Sequence, residues 1–282
     1  MQMQSHVLAE PPTPPRAPRA ALRFIEHRQA LGLAHFTLTE LTTASGLSRK
    51  AARQQLDHLH GLVTRVSARQ EFFLIVSPEQ RPMGAPPVFW WLDAFFKTRK
   101  RPYYVGLLSA AAEQGSAHQA VQAVQVMTDH PMRPLAVGRL RVQFFVKKRL
   151  LEVPTIPLEQ AHAPLLVSTP EATALDLLRY ANRIGGVSRA AEVMEKLLER
   201  FKKGGLQKAL LAESEASNVQ RLGYVLQELG RPDLCDIVAE HLPSRMATVL
   251  LEKRKPIPPG SVETISERWS VNANSRLKDS PT

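Results

Sequence analysis

Between residues 20 and 76, short helical and β-prone segments alternate in an order that few folds accommodate. Leu22, Phe24, Ile25 and Leu31 recur at helical spacing, and Gly32 supplies a C-terminal stop. Phe36-Thr37-Leu38 is short and β-prone. Thr39 reads as the N-cap of a short helix to about residue 44 that turns Leu41 inward. Ser45-Gly46-Leu47 is a turn, Ser48 caps a helix to about residue 60, and Gly61 stops it. Leu62-Val63-Thr64-Arg65-Val66 and Glu71-Phe72-Phe73-Leu74-Ile75-Val76 then read as two strands joined by a polar loop over 67–70. Helix, short strand, helix, turn, helix, hairpin is the order of a winged helix-turn-helix, expected over residues 19–80.

The helix opened by Ser48 carries the most specific chemistry. Ala52, Leu56 and Leu59 share an inward face, while Arg49, Lys50, Arg53 and Gln54 share the outer one near its N-terminus. A helix-turn-helix offers that end to the major groove. Arginine can grip guanine O6 and N7, and glutamine can grip adenine N6 and N7. The Ser48 hydroxyl and the helix N-terminus suit a phosphate. Arg65 on the first strand and Arg69 at the hairpin tip are placed for the neighbouring backbone or minor groove. A winged helix used for protein contacts is the alternative, and the outward arginines argue against it.

The chain of 282 residues has a net charge of +11, unevenly spread. Residues 1–80 contribute +3, residues 81–157 contribute +7, and the remainder only +1. A basic part joined to a neutral part suggests an anionic partner for the first and another task for the second. Two basic runs, Lys97, Arg99, Lys100, Arg101 and Lys147, Lys148, Arg149, with Arg139 and Arg141, could extend a DNA footprint. The plainer reading of such runs is a solvated face.

Pro78, Pro82, Gly84, Pro86 and Pro87 mark a domain boundary. Beyond it lies a helix rich in Trp90, Trp91, Leu92, Phe95 and Phe96, read as core. Strands are expected at 103–105, 124–128, 135–137, 139–146, 150–156 and 165–167, with an alanine-rich helix at 107–114. Thr169, Pro170 and Glu171 are a strong helix start. Helices then follow over about 170–182, 189–203, 205–213, 218–229 and 231–241. Near the end, Trp269 is placed to dock. The Pro-rich residues 1–18 read as a disordered arm, 88–272 as the C-terminal domain and 273–282 as a polar tail.

Nothing asks for an enzyme. There is no GxxxxGK[ST] loop and no GxGxxG turn. Gly115-Ser116 resembles the opening of a nucleotidyltransferase site, but the alternating aspartates do not follow and Asp129 stands alone. His58 and His60 lie about 200° apart on a helix and cannot share a metal. The single cysteine, Cys235, sits in an apolar stripe, and His118, His162 and His241 show no partner. No metal or cofactor is expected. The chain lacks a membrane span and opens on polar residues, so a cytoplasmic protein is expected.

Four stretches resemble one family. They are Gly61-Leu62-Val63 closing the winged helix; Tyr103-Tyr104-Val105-Gly106-Leu107-Leu108-Ser109-Ala110 with Val124-Gln125-Val126-Met127-Thr128; Val167-Ser168-Thr169-Pro170-Glu171 running into Ala174-Leu175-Asp176-Leu177-Leu178; and Arg268-Trp269-Ser270-Val271-Asn272. In this order they resemble AbiEi-type antitoxins of type IV toxin–antitoxin (abortive infection) systems. The resemblance implies a winged helix that binds inverted repeats in its own promoter. It also implies a C-terminal domain that neutralises a nucleotidyltransferase-like toxin, with no requirement for direct contact. The expected fold class is α+β: a winged helix-turn-helix followed by a mixed, helix-rich C-terminal domain. The expected function is that of a non-enzymatic repressor of the operon, with double-stranded DNA as partner and no membrane. A ligand-responsive regulator without a toxin is the alternative.

Overall fold

The computed structural model describes residues 19–116, 122–159, 164–253, 255–256 and 264–277. The arm read over 1–18, His118, His162 and the end of the polar tail lie outside the described residues. The chain divides into two compact units, residues 1–82 and 83–282. Both combine helices and sheet, so the protein is of mixed α and β class.

The first unit runs α1 (Ala20–Ala30), β1 (His35–Thr37), α2 (Leu38–Ser45), α3 (Arg49–Asp57), β2 (Val63–Arg65) and β3 (Phe72–Ile75). The strands form an antiparallel sheet in the order β1-β3-β2, with Phe36 opposite Phe73 and Thr64 opposite Leu74. Ile25, Phe36, Leu41, Ala52 and Leu56 fill the space between helices and sheet, and the Phe36 and Phe73 rings stack. Thr37, not Thr39, caps α2. Its hydroxyl accepts from Glu40 N while the Glu40 carboxylate accepts from Thr37 N. The reciprocal box satisfies two orphan donors at once, and Thr39 has no acid three residues on to build one. Ser48 caps α3 by accepting from Ala51 N at 3.3 Å. That helix ends at Asp57, three residues before the expected stop. His58 N and Leu59 N bond to carbonyls three residues back, which tightens and closes the last turn. Gln55 Oε1 accepts from Ala21 N at 2.9 Å, so α3 also completes the start of α1.

The second unit holds α4 (Leu92–Arg99), β4 (Tyr103–Val105), α5 (Leu107–Glu113), β5 (Val124–Thr128), β6 (Leu135–Val137), β7 (Leu140–Val146), β8 (Thr155–Glu159) and β9 (Pro164–Ser168). Then come α6 (Pro170–Arg179), α7 (Val187–Leu197), α8 (Lys203–Ala212), α9 (Ala216–Glu228) and α10 (Pro232–Ala239). The six strands β4–β9 form one mixed sheet in the order β6-β7-β5-β4-β9-β8. β5–β7 and β4–β9 are parallel, and the other neighbours antiparallel. The strand expected over 150–156 is instead a 3₁₀ turn at Leu150–Glu152, with β8 starting at Thr155. Arg149 in the left-handed region (φ 55°) breaks the extension. Thr169 caps α6 with Pro170 at its first position.

Three short strands, β10 (Val249–Leu250), β11 (Ile265–Ser266) and β12 (Val271–Asn272), dock the C-terminal stretch in the order β10-β12-β11. Trp269 is fully buried against α9, and its indole N–H donates to Gln227 at 2.8 Å. The ring lies over Gly223, where a Cβ would sit 2.3 Å from ring carbons. Asn274, within the stretch read as a polar tail, is also buried. It exchanges hydrogen bonds with the Glu252 backbone.

A cluster of charges lies inside this unit. Lys147 follows β7 on the same face as Phe145, and that face lies under α6; Phe145 meets the Tyr180 ring edge-to-face. The Lys147 ammonium donates to Asp176 Oδ1 and Glu213 Oε2, both at 2.9 Å. Its side chain is 2% exposed and both carboxylates are 0% exposed. Tyr104 OH donates to the second Asp176 oxygen at 2.8 Å. Asn218 donates to Glu213 at 3.0 Å, and Arg179 pairs with its other oxygen at 3.2 Å. Burial pushes the Asp176 carboxyl up, and Lys147 and Tyr104 do not fully offset it. Burial acts the same way on Glu213, but Lys147 and hydrogen bonds outweigh it and hold that carboxyl below the usual range. Burial lowers the Lys147 ammonium, and the two carboxylates outweigh it to leave it raised. Lys147 is thus withdrawn from the surface footprint expected of the run Lys147, Lys148, Arg149.

Two outcomes follow from this packing. Gly223→Ala should destabilise despite the better helix former. Overpacking against a rigid ring costs ~1–3 kcal/mol and helix propensity returns at most ~1 kcal/mol. A lowered Tm with altered tryptophan fluorescence would confirm it, and an unchanged Tm would refute it. Lys147→Met should cost ~3–5 kcal/mol at neutral pH, because buried Asp176 loses its cation while Glu213 keeps only Arg179. The Asp176 carboxyl is already raised by burial and loses the cation that opposes that rise. The loss measured by urea titration should therefore shrink as pH falls and Asp176 protonates.

Candidate nucleic-acid interface

The outer face of α3 exposes Arg49, Lys50, Arg53 and Gln54, while Ala52 and Leu56 are buried and Leu59 half-buried. Two of the four are engaged in this structure. The guanidinium groups of Arg49 and Arg53 both pair with the carboxylate of Glu71, at the entry to β3. The Arg53 hydrogen bond, with that of Arg49, holds the Glu71 carboxyl below its usual range. Glu71 is the residue that sequence reasoning missed. The signal was present, an isolated acid at the foot of the second hairpin strand, but its partners lie 22 and 18 residues away.

The hairpin residues divide. Arg65 turns back on its own loop, donating to Gln70 O at 2.7 Å, with its guanidinium over the Phe73 ring. Arg69 lies exposed in the loop. The Ser48 hydroxyl accepts the capping bond and keeps its own hydrogen to donate. A phosphate at this end of α3 could therefore meet both that hydroxyl and backbone N–H groups.

The basic residues of the second unit are less free than their count suggests. Lys97 pairs with Asp93 at 2.6 Å, Arg101 with Asp129 at 3.1 Å, and Arg149 with Glu152. Arg99 lies over the Phe95 ring. Arg141 donates to the Gly138 and Leu140 carbonyls, both at 2.9 Å. Lys100, Arg139, Arg141 and Lys148 are exposed; Arg139 lies in the turn before β7 rather than on the expected strand, and Arg141 and Gln143 are exposed on one face of β7.

A pocket of about 460 Å³ opens beside Phe96, Tyr103, Leu150 and Leu166, with Lys97, Lys100 and Arg101 at its rim. The Tyr103 hydroxyl donates to buried Asp93 at 3.0 Å, and burial with that carboxylate raises the phenol pKa. Among the described residues no group of three or more His, Cys, Asp or Glu side chains could hold a metal ion. Cys235 is buried beside Gly223 O, with burial raising its thiol, and His241 bonds to Ile237 O at 2.9 Å. Asp129 sits between Arg101 and His130. No described helix is long and apolar enough to cross a membrane.

Comparison with known proteins adds the following. No curated protein matches the chain. Among solved structures it is similar to the crystal structure of the Rv2827c protein from Mycobacterium tuberculosis. The TM-score is 0.65 at 14% identity, over 91% of this chain and 92% of that one. At that identity the likeness concerns the fold. Residues 104–228 match the family model of the AbiEi antitoxin C-terminal domain. Tyr104, Lys147, Asp176, Arg179, Glu213 and Asn218, which make up the buried charge cluster, all fall within that match. The chain therefore carries an AbiEi-type antitoxin domain.

Proposed function

We propose that this protein is a sequence-specific DNA-binding autorepressor that also neutralises a nucleotidyltransferase-like toxin, without itself being an enzyme. The observation that carries the reading is the antitoxin domain over residues 104–228 on a chain whose separate N-terminal unit presents a capped cationic helix beside a hairpin. In this reading α3 enters the major groove of inverted repeats in the protein's own promoter. Arg49, Lys50, Arg53 and Gln54 meet base edges, and Arg69 and the end of α3 meet the backbone. Lys100, Arg139, Arg141 and Lys148 extend the contact, and Lys147 does not. The antitoxin task falls to the second unit, which needs no direct toxin contact. The site of action is the cytoplasm.

A second reading keeps the DNA-binding unit and makes the second unit a ligand sensor without a toxin. The pocket of about 460 Å³ beside Tyr103 favours it, being of a size that small ligands fill. A toxic nucleotidyltransferase-like neighbouring gene would favour the antitoxin reading instead.

The triple variant Arg49→Ala, Lys50→Ala, Arg53→Ala separates the two tasks. It should keep its Tm, lose at least ~100-fold in promoter affinity, and lose most of its preference for the promoter over a scrambled duplex. It should derepress a promoter reporter and still protect cells from the toxin. Unchanged promoter affinity in the folded variant would refute the interface.

A further inference from the structure

Arg49 and Arg53 stand one turn apart on α3, and both converge on the single carboxylate of Glu71. Backbone groups fix where Glu71 sits: its carbonyl accepts from Leu38 N at 3.0 Å, at the start of α2. Among the described residues its side chain bonds to the two arginines alone. The three side chains are 53%, 55% and 28% exposed. Ion pairs this exposed contribute little to stability. The arrangement therefore halves the charge of the two outward arginines of α3 with almost no structural return.

We propose that Glu71 is a specificity-determining residue of the DNA interface, holding Arg49 and Arg53 for guanine edges and withholding them from phosphates. This rests on the DNA-binding reading above. Sequence-blind binding is made by cations meeting phosphates. An arginine that leaves Glu71 for a phosphate exposes a carboxylate to the same anionic surface, so such binding is penalised. A guanine contact carries no such penalty. Arginine has five N–H donors in a rigid fork, enough to meet guanine O6 and N7 while keeping a bond to the carboxylate. The free lone pairs of Glu71 can also accept from the N4 amino group of cytosine. The shared carboxylate further fixes two flexible side chains before DNA arrives, which lowers the ordering cost of each base contact.

The test uses the full chain, with Glu71→Gln as the near-isosteric change and Glu71→Ala as the deletion. Each is titrated with a duplex of its own promoter region and with a scrambled duplex of equal composition, across a salt series. Both variants should bind the scrambled duplex about tenfold tighter, with a salt slope steeper by about 1–2. Promoter affinity should change less, so the preference for the promoter falls about tenfold or more. A preserved preference in variants that melt like the wild type would overturn the role of Glu71 alone. So would an equal loss on both duplexes. A wild-type protein with no preference for the promoter would overturn the DNA-binding reading and this proposal with it.

Discussion

The second unit is organised around one buried cation. Lys147 at the end of β7 reaches Asp176 on α6 and Glu213 at the end of α8, and Tyr104 and Asn218 bring in β4 and α9. A buried ion pair contributes modestly when complete and costs heavily when broken. The members of this cluster come from β4, the end of β7, α6, the end of α8 and α9, so displacing any one of these elements leaves a buried polar group without its partner. Arg179, shared with Glu215, and the Ser214 and Glu215 amides complete the acceptors of Glu213. The cluster is closed to solvent, with both carboxylates 0% exposed. It suits a domain that must hold its shape.

Charge read from the sequence and charge offered to a partner are different quantities. Residues 81–157 hold the largest excess, +7, already net of the acids Asp93, Asp129 and Glu152, and the fold withdraws Lys147 from it by pairing it with Asp176 and Glu213 beyond the segment. Lys147 is buried, and Lys97, Arg101 and Arg149 each face a carboxylate. The first unit does the same on its outer helix, where Glu71 answers two arginines. Among the described residues of the first unit, the cations left without a carboxylate on the proposed interface are Lys50 and Arg69, and in the second unit Lys100, Arg139, Arg141 and Lys148 are exposed.

Local chemistry was legible in the sequence and long-range pairing was not. Ser48 and Thr169 could be recognised as caps because the N–H groups they accept from lie three residues on, and Gly46 as the turn after α2 because its φ of 68° suits glycine; Gly61, read as the stop of α3, lies beyond that helix's end at Asp57. Thr37 was passed over for Thr39 although Glu40 completed its box, a misreading of a signal that was present. Lys147 could not be placed from pattern. A lysine two residues past Phe145 on a strand face reads as surface until α6 is known to cover that face, and its partners are 29 and 66 residues away. Strand periodicity fixes which side a residue takes but not what lies over it. The same limit hid Glu71.

The central claim is that the antitoxin task belongs to the second unit and DNA binding to the first. It is tested most directly by growth. The neighbouring toxin-candidate gene is induced alone, with residues 83–282, or with residues 1–82. The account predicts growth arrest with the gene alone, recovery with residues 83–282 and none with residues 1–82. Recovery with residues 1–82 only, or a neighbour whose induction leaves growth untouched, would contradict it.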